Sequence, residues 1–380
     1  MGAAVNPDRS EAGLPNEPAT APIFPRLTLF LDGVAHNTHL LAADLRRRGI
    51  ELVGVTKALD GEPVVGQTMV TAGCAGLADS RLPALARLAG HTPVPLTLIR
   101  APQADEVREA AQVADRVALC DVGTARALGT HRSGHPLALL LTVDLGDRRE
   151  GVLPELAPQA ANDLADVPGV ALGGISVNFA CLSGQLPSQA LFREAEDVLA
   201  AVAARCAAEP LLSLGGTCCL QHLEGYRPRF RTEIRAGGGL LYGYDFVSAA
   251  PLSGLVRSDP VLSAVVLESL AKPPAPSGTA GLDAFGHAPD VSLPDAEAWY
   301  SLLALGRRDA QPESLRPLLA GVTIAGMTSD VTVLTSQSAL TPGSTVDFAV
   351  DYEGLVRAVT SPFVARRFVS GTPATADHDR

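Results

Sequence analysis

A lysine closing a short apolar run, two glycine-rich loops and a few arginines are the residues here best suited to chemistry. Lys57 ends Glu51-Leu-Val-Gly-Val-Thr-Lys57, whose β-branched Val53, Val55 and Thr56 read as a buried parallel strand. In open and barrel α/β folds, ligands bind at the carboxyl edge of such strands. Burial of a lysine there would favour the neutral amine, which can attack a carbonyl. The plainer reading is a strand-end lysine snorkelling to solvent. The loops are Gly215-Gly216-Thr217 and Gly237-Gly238-Gly239, with Arg235 just ahead of the second. Glycines let backbone N–H groups close on a phosphate, although a glycine pair alone is as compatible with a simple turn. Arg149 lies in the charged run Asp144–Gly151, and Asn178 opens Asn178-Phe-Ala-Cys181.

Positioning these groups together requires a regular scaffold. From Lys57 onward the pattern alternates: helices over 63–72, 81–89, 105–114, 124–128, 154–166 and 188–208, and strands over 76–79, 95–100, 116–121, 137–144, 170–179, 211–214 and 233–236. The strands are apolar throughout, as parallel strands covered on both faces must be. With the Lys57 strand this makes eight βα units, which fit a (β/α)8 TIM barrel, a doubly wound open sheet being the runner-up. Ahead of it, 27–32 reads as a strand and 36–48 as an amphipathic helix. The two glycine loops follow the seventh and eighth strands, where barrels favour phosphate sites. Lysine, phosphate cradle and arginine at one rim are what pyridoxal 5'-phosphate requires: a Schiff-base partner, a phosphate anchor and a group facing the pyridine nitrogen.

Past Gly254 helical periodicity fades, and Val-, Leu- and Thr-rich stretches alternate with Pro- and Gly-rich ones. The expected organisation is a tail over 1–25, a barrel over 26–252, a C-terminal mostly-β domain over 253–370 and a second tail over 371–380. A net charge of −11 without a basic stripe argues against nucleic acid and anionic membranes as partners. No apolar run reaches the roughly 18 residues of a membrane span. Residues 1–25 lack the apolar segment of a signal peptide, so a cytoplasmic location is expected. The six cysteines have no metal-ligand or redox spacing and read as reduced, buried thiols. His131 and His135 are interrupted by Ser133-Gly134, and no metal site is expected.

The stretches Val53–Lys57, Leu77-Ala-Asp-Ser-Arg81, Val143–Gly151 and Asn178–Cys181, then Asp283-Ala-Phe-Gly286, Leu303–Asp309 and Thr360–Val364, resemble the alanine racemase family of pyridoxal-phosphate enzymes, most closely its ornithine racemase type. The likeness runs from about Pro25 to Val369. It implies an amino-acid racemase acting on ornithine or another basic amino acid through a Lys57 Schiff base and a Cα carbanion. It implies a head-to-tail homodimer whose site is shared between subunits, with the strand near Leu27 joining the β domain. By family position Asn178 lies beside the ring, Gly215, Gly216, Thr217, Gly237 and Gly238 hold the phosphate, Arg235 faces the pyridine nitrogen, and Arg149 takes the substrate carboxylate.

The sequence departs from the family at two points. Phe285 stands where alanine racemases place a tyrosine as second base, so Asp283, two residues earlier, becomes the candidate, with Asp330 behind it. The phosphate loop reads Thr217-Cys218-Cys219 in place of a serine run, which leaves Thr217 and backbone N–H groups to grip the phosphate. Rival readings are decarboxylation or aldol cleavage on the same scaffold, and a non-catalytic cofactor carrier.

Overall fold

The computed structural model describes residues 24–273, 279, 281–282, 285–286 and 294–371, so the expected tails fall almost wholly outside it. The described residues open on β1 (Arg26–Phe30) and α1 (Leu31–Arg47). There follow β2 (Ile50–Val55), α2 (Pro63–Thr71), β3 (Gly76–Asp79), α3 (Leu82–Leu88), β4 (Leu96–Leu98), α4 (Val107–Val113), β5 (Arg116–Leu119) and α5 (Val122–His131). Next come β6 (Leu137–Val143), α6 (Ala157–Ala165), β7 (Val170–Asn178), α7 (Gln189–Val202), β8 (Leu211–Gly215), β9 (Arg231–Ala236) and α8 (Gly238–Tyr242). Strands β2 to β9 are all parallel and close into a barrel, β9 pairing back onto β2 with Arg235 opposite Val53.

The second sheet begins beyond a short hairpin, β10 (Tyr244–Asp245) and β11 (Ala250–Pro251). Its strands are β12 (Val261–Lys272), β13 (Ala298–Leu303), β14 (Leu315–Pro317), β15 (Val322–Met327), β16 (Thr332–Ser336), β17 (Thr345–Val350) and β18 (Ala365–Val369), with α9 (Tyr352–Thr360) between the last two. The order along it is β14-β17-β12-β13-β16-β15. Strand β1 belongs here too, parallel to β18 and antiparallel to β12. The barrel and the mostly-β sheet are those expected from the alternation and its loss.

Two local differences have tertiary causes. Helix α1 starts at Leu31 rather than His36, because residues that look strand-like alone pack against the segment entering β12. A Cβ on Gly33 would sit 2.2 Å from the Ser258 Oγ, and buried Asn37 is tied by its side chain to Val256 N and O, at 2.9 and 3.0 Å. The Lys57 run ends as a strand at Val55, and Lys57 opens a 3-10 turn, Lys57–Leu59.

The main core lies between strands and helices and continues into the second sheet through Leu27, Leu262, Phe348 and Leu355, all fully buried. Inside the barrel, apolar packing is thin. Val53, Val55 and Ala78, with Ile99 packed against them, form one small cluster and Ala118, Leu140 and Leu211 another, while Ser213, Glu233 and Arg235 are buried polar residues beside them.

Candidate active site

A cavity of about 430 Å³ lies at the carboxyl ends of the barrel strands. Lys57, Arg149, Asn178, Gly215, Gly216, Thr217, Arg235, Gly237 and Gly238 all line it. Residues drawn from five strand ends thus meet at one rim, as the geometry of a closed barrel imposes.

Thr56, fully buried, donates to the Asp79 carboxylate at 2.7 Å and anchors the backbone from which Lys57 projects. Burial pushes the Asp79 carboxyl up, against hydrogen bonds from Arg81 N–H, Thr56 and Ser80 N–H. Arg235 lies in the cavity wall with little solvent exposure. Its Nη1 donates to the Ser213 carbonyl at 3.0 Å and to the Ser213 hydroxyl, and Nη2 to the Val177 carbonyl at 3.0 Å. Burial lowers its pKa while the Glu233 carboxylate opposes that, and an arginine keeps its proton under both.

The glycines have distinct jobs. A Cβ on Gly215 would lie 2.5 Å from Arg235 Nη2 and 2.7 Å from Asn178 Oδ1, so only glycine leaves these two groups room. Gly216 turns the chain at φ +112°, a conformation that L side chains rarely adopt. The Gly239 N–H donates to the Thr217 hydroxyl at 3.1 Å, which ties the two loops side by side. The Thr217 proton stays free to donate to a phosphate oxygen. These features fit a phosphorylated aromatic group, with one slot walled by glycine, a fixed cation on the floor and N–H-rich turns at the edge.

At the mouth, Arg149 donates bidentately to Glu150 and stands 3.7 Å from Asp147. Asp147 is buried, which would raise its pKa. Hydrogen bonds from Leu182 N, Ser183 N and Asn178 outweigh burial and hold the carboxyl low. It thereby couples the Arg149 loop to Asn178, whose Nδ2 donates to it at 2.9 Å.

Several residues here escaped the sequence reading. Tyr352, first residue of α9, and Phe246 of the hairpin loop line the cavity from beyond the barrel. Burial, then the charges of Cys181 and Asp79, push the Tyr352 phenol up to about 12, so it remains a neutral donor. No local pattern announces either residue, since both arrive through the packing of the C-terminal part onto the barrel. The expectation of buried thiols fails at Cys181, which is exposed on the cavity wall, whereas Cys218 and Cys219 are buried. Asp330 sits on the exposed turn between β15 and β16, 3.7 Å from Arg308 and away from its own chain's cavity. Asp283 lies outside the described residues.

A closed parallel barrel with a lysine, a buried arginine and paired glycine loops at its carboxyl end, joined to a mostly-β sheet, defines a recognisable class of two-part protein. The chain belongs to the family described as alanine racemase, N-terminal domain, whose model matches residues 30–245. It is 30% identical over 351 residues to a lysine racemase of Thermotoga maritima, covering 90% of this chain and 98% of that one. It is 24% identical over 357 residues to an ornithine racemase of Acetoanaerobium sticklandii, covering 91% and 100%. Among solved structures, the fold is shared with alanine racemase from E. faecalis at a TM-score of 0.70 and 18% identity, covering 90% and 98%. It is also shared with the Bartonella henselae alanine racemase bearing covalently bound pyridoxal phosphate, at 0.68 and 14%, covering 90% and 99%.

Proposed function

We propose that the protein is a pyridoxal-phosphate-dependent racemase of basic amino acids, interconverting the L and D forms of lysine, ornithine or a close homologue. The observation that carries this reading is the convergence of Lys57, Arg235 and both glycine loops on one cavity. The names of the two curated relatives support a basic side chain on the substrate.

Lys57 is the residue that would bear the cofactor. Gly215, Gly216, Thr217, Gly237 and Gly238 would receive its phosphate, Asn178 its ring edge and Arg235 its ring nitrogen. When bound, the cofactor supplies an electron sink that acidifies the substrate Cα–H. The remaining work falls to the protein. Arg149 orients the substrate by its α-carboxylate, which takes the place held by the Glu150 carboxylate. The amine of Lys57 removes or returns the proton at Cα from one face. Arg235 cannot surrender its proton, so it would donate a hydrogen bond to the ring nitrogen without protonating it, which restrains charge from spreading away from Cα. Asp283, contributed by a second copy of the chain, is our candidate for the opposite face.

The same geometry supports a homodimer. The cavity rim exposes apolar side chains, Leu182 at 66%, Val247 at 41% and Phe246 at 38%, and a second subunit's β domain would cover them.

Incubation of the holoenzyme with single enantiomers of lysine, ornithine and alanine in D2O tests the function. Loss of optical rotation with Cα deuteration and no loss of CO2 is the expected result, fastest for the diamino acids. Decarboxylation, aldol cleavage or no Cα exchange would overturn it.

A further inference from the structure

A string of polar groups runs through the barrel to the floor of the cavity. Arg116 opens β5 and Glu233 lies on β9, four strands away in an eight-stranded barrel and so across the lumen. The Glu233 carboxylate is fully buried. One of its oxygens accepts from Arg116 Nη1 at 2.7 Å and the other from the Ser213 hydroxyl at 2.6 Å. The single hydroxyl proton of Ser213 is thereby committed to Glu233. Only lone pairs remain to face Arg235, which donates to that oxygen and to the carbonyls of Ser213 and Val177.

Resting on the reading of Arg235 as the group facing the cofactor ring nitrogen, we propose that Glu233 is a positioning residue. Through Ser213, and balanced by Arg116, it fixes the guanidinium of Arg235 in the orientation the cofactor needs.

Stability gives no sufficient reason for the string. Barrel lumens are ordinarily filled with branched apolar side chains. A buried ion pair must overcome the desolvation of both charges, and apolar residues of similar volume usually do as well. What the string does supply is direction and charge balance. It orients a hydroxyl that would otherwise rotate, and it leaves one net positive charge across Arg116, Glu233 and Arg235. Removal of Glu233 alone would leave two uncompensated cations, and removal of Arg116 alone would leave none in excess.

The test uses the full-length chain as R116M/E233M, which replaces the pair by apolar bulk, and as S213A, which removes one hydroxyl. Three quantities are measured: the 15N guanidinium signals of Arg235 in cofactor-free protein, the pyridoxal phosphate dissociation constant, and kcat and KM separately. In both variants the Arg235 Nη signals are expected to lose their protection from exchange. The cofactor dissociation constant should rise about tenfold, the loss of roughly one charge-assisted hydrogen bond. A similar fall in kcat should leave the amino-acid KM little changed. Unaltered guanidinium signals and cofactor affinity in a folded variant would overturn the proposal. If R116M/E233M does not fold, S213A carries the same comparison. A wild-type protein that binds no pyridoxal phosphate would refute the proposed function instead, and the guanidinium signals would still read the string on their own.

Discussion

Arg149 shows how one side chain's surroundings decide its use. Arg149 meets Glu150 through two parallel N–H groups, a geometry that lysine cannot reproduce. R149K is therefore expected to raise the amino-acid KM about 10–100-fold, the value of a charged hydrogen bond, with a smaller change in kcat, read from initial rates of Cα exchange. Gly215 is constrained from the other side. An added methyl would press on Arg235 and Asn178, so G215A should cost about 1–3 kcal/mol of overpacking. It should also weaken cofactor binding, as denaturant melts and equilibrium dialysis will show.

Helices carry parts of the site they do not themselves form. Helix α9 presents Tyr352 to the cavity, and the Asp351 side chain caps its start by accepting from Gly354 N–H at 2.9 Å. D351A should cost about 1 kcal/mol and lower cofactor affinity by shifting Tyr352, measured by the same melts and dialysis. Helix α7 is held to the barrel by Glu196, fully buried. It accepts from Arg229 N–H and the Arg193 and Arg229 guanidinium groups, and from the Tyr226 hydroxyl at 3.0 Å. Burial would raise the Glu196 pKa, but these hydrogen bonds overcome it and set the folded value below the ordinary 4.5. Its charged form thus stabilises the fold fully above pH 4.5, and that contribution is lost as pH falls through the lower folded value. The difference in urea stability between the wild type and E196Q should be largest near pH 7 and shrink below pH 4 (about half a unit under the ordinary carboxylate value).

At the scale of the whole molecule, the question is what covers the cavity mouth. Leu182 is exposed beside the cavity-lining Cys181, and a subunit partner would bury it. L182D should leave the melting of the isolated chain unchanged and raise the dimer dissociation constant by at least about tenfold. Sedimentation equilibrium checks the second, and specific activity should then fall on dilution. A wild-type protein that sediments as a monomer with undiminished activity would remove the shared-site arrangement.

The sequence by itself determined the barrel. Its strands are largely apolar on both faces, most plainly between Val53 and Leu214, and closure then brings strand ends to one rim; β9 departs from this with buried Glu233 and Arg235. Lys57, Arg235 and the two glycine loops were legible for that reason, because position along a βα unit already dictates which edge a residue occupies. What only the tertiary structure decided were contacts between distant elements. These include the early start of α1 against Ser258, the arrival of Tyr352 and Phe246 at the cavity, the exposure of Cys181, and the line of groups from Arg116 to Arg235 across the lumen. A residue's type and its neighbours along the chain set its local conformation. The groups that face it across a cavity come from strands and helices far away in sequence, and only packing brings them into register.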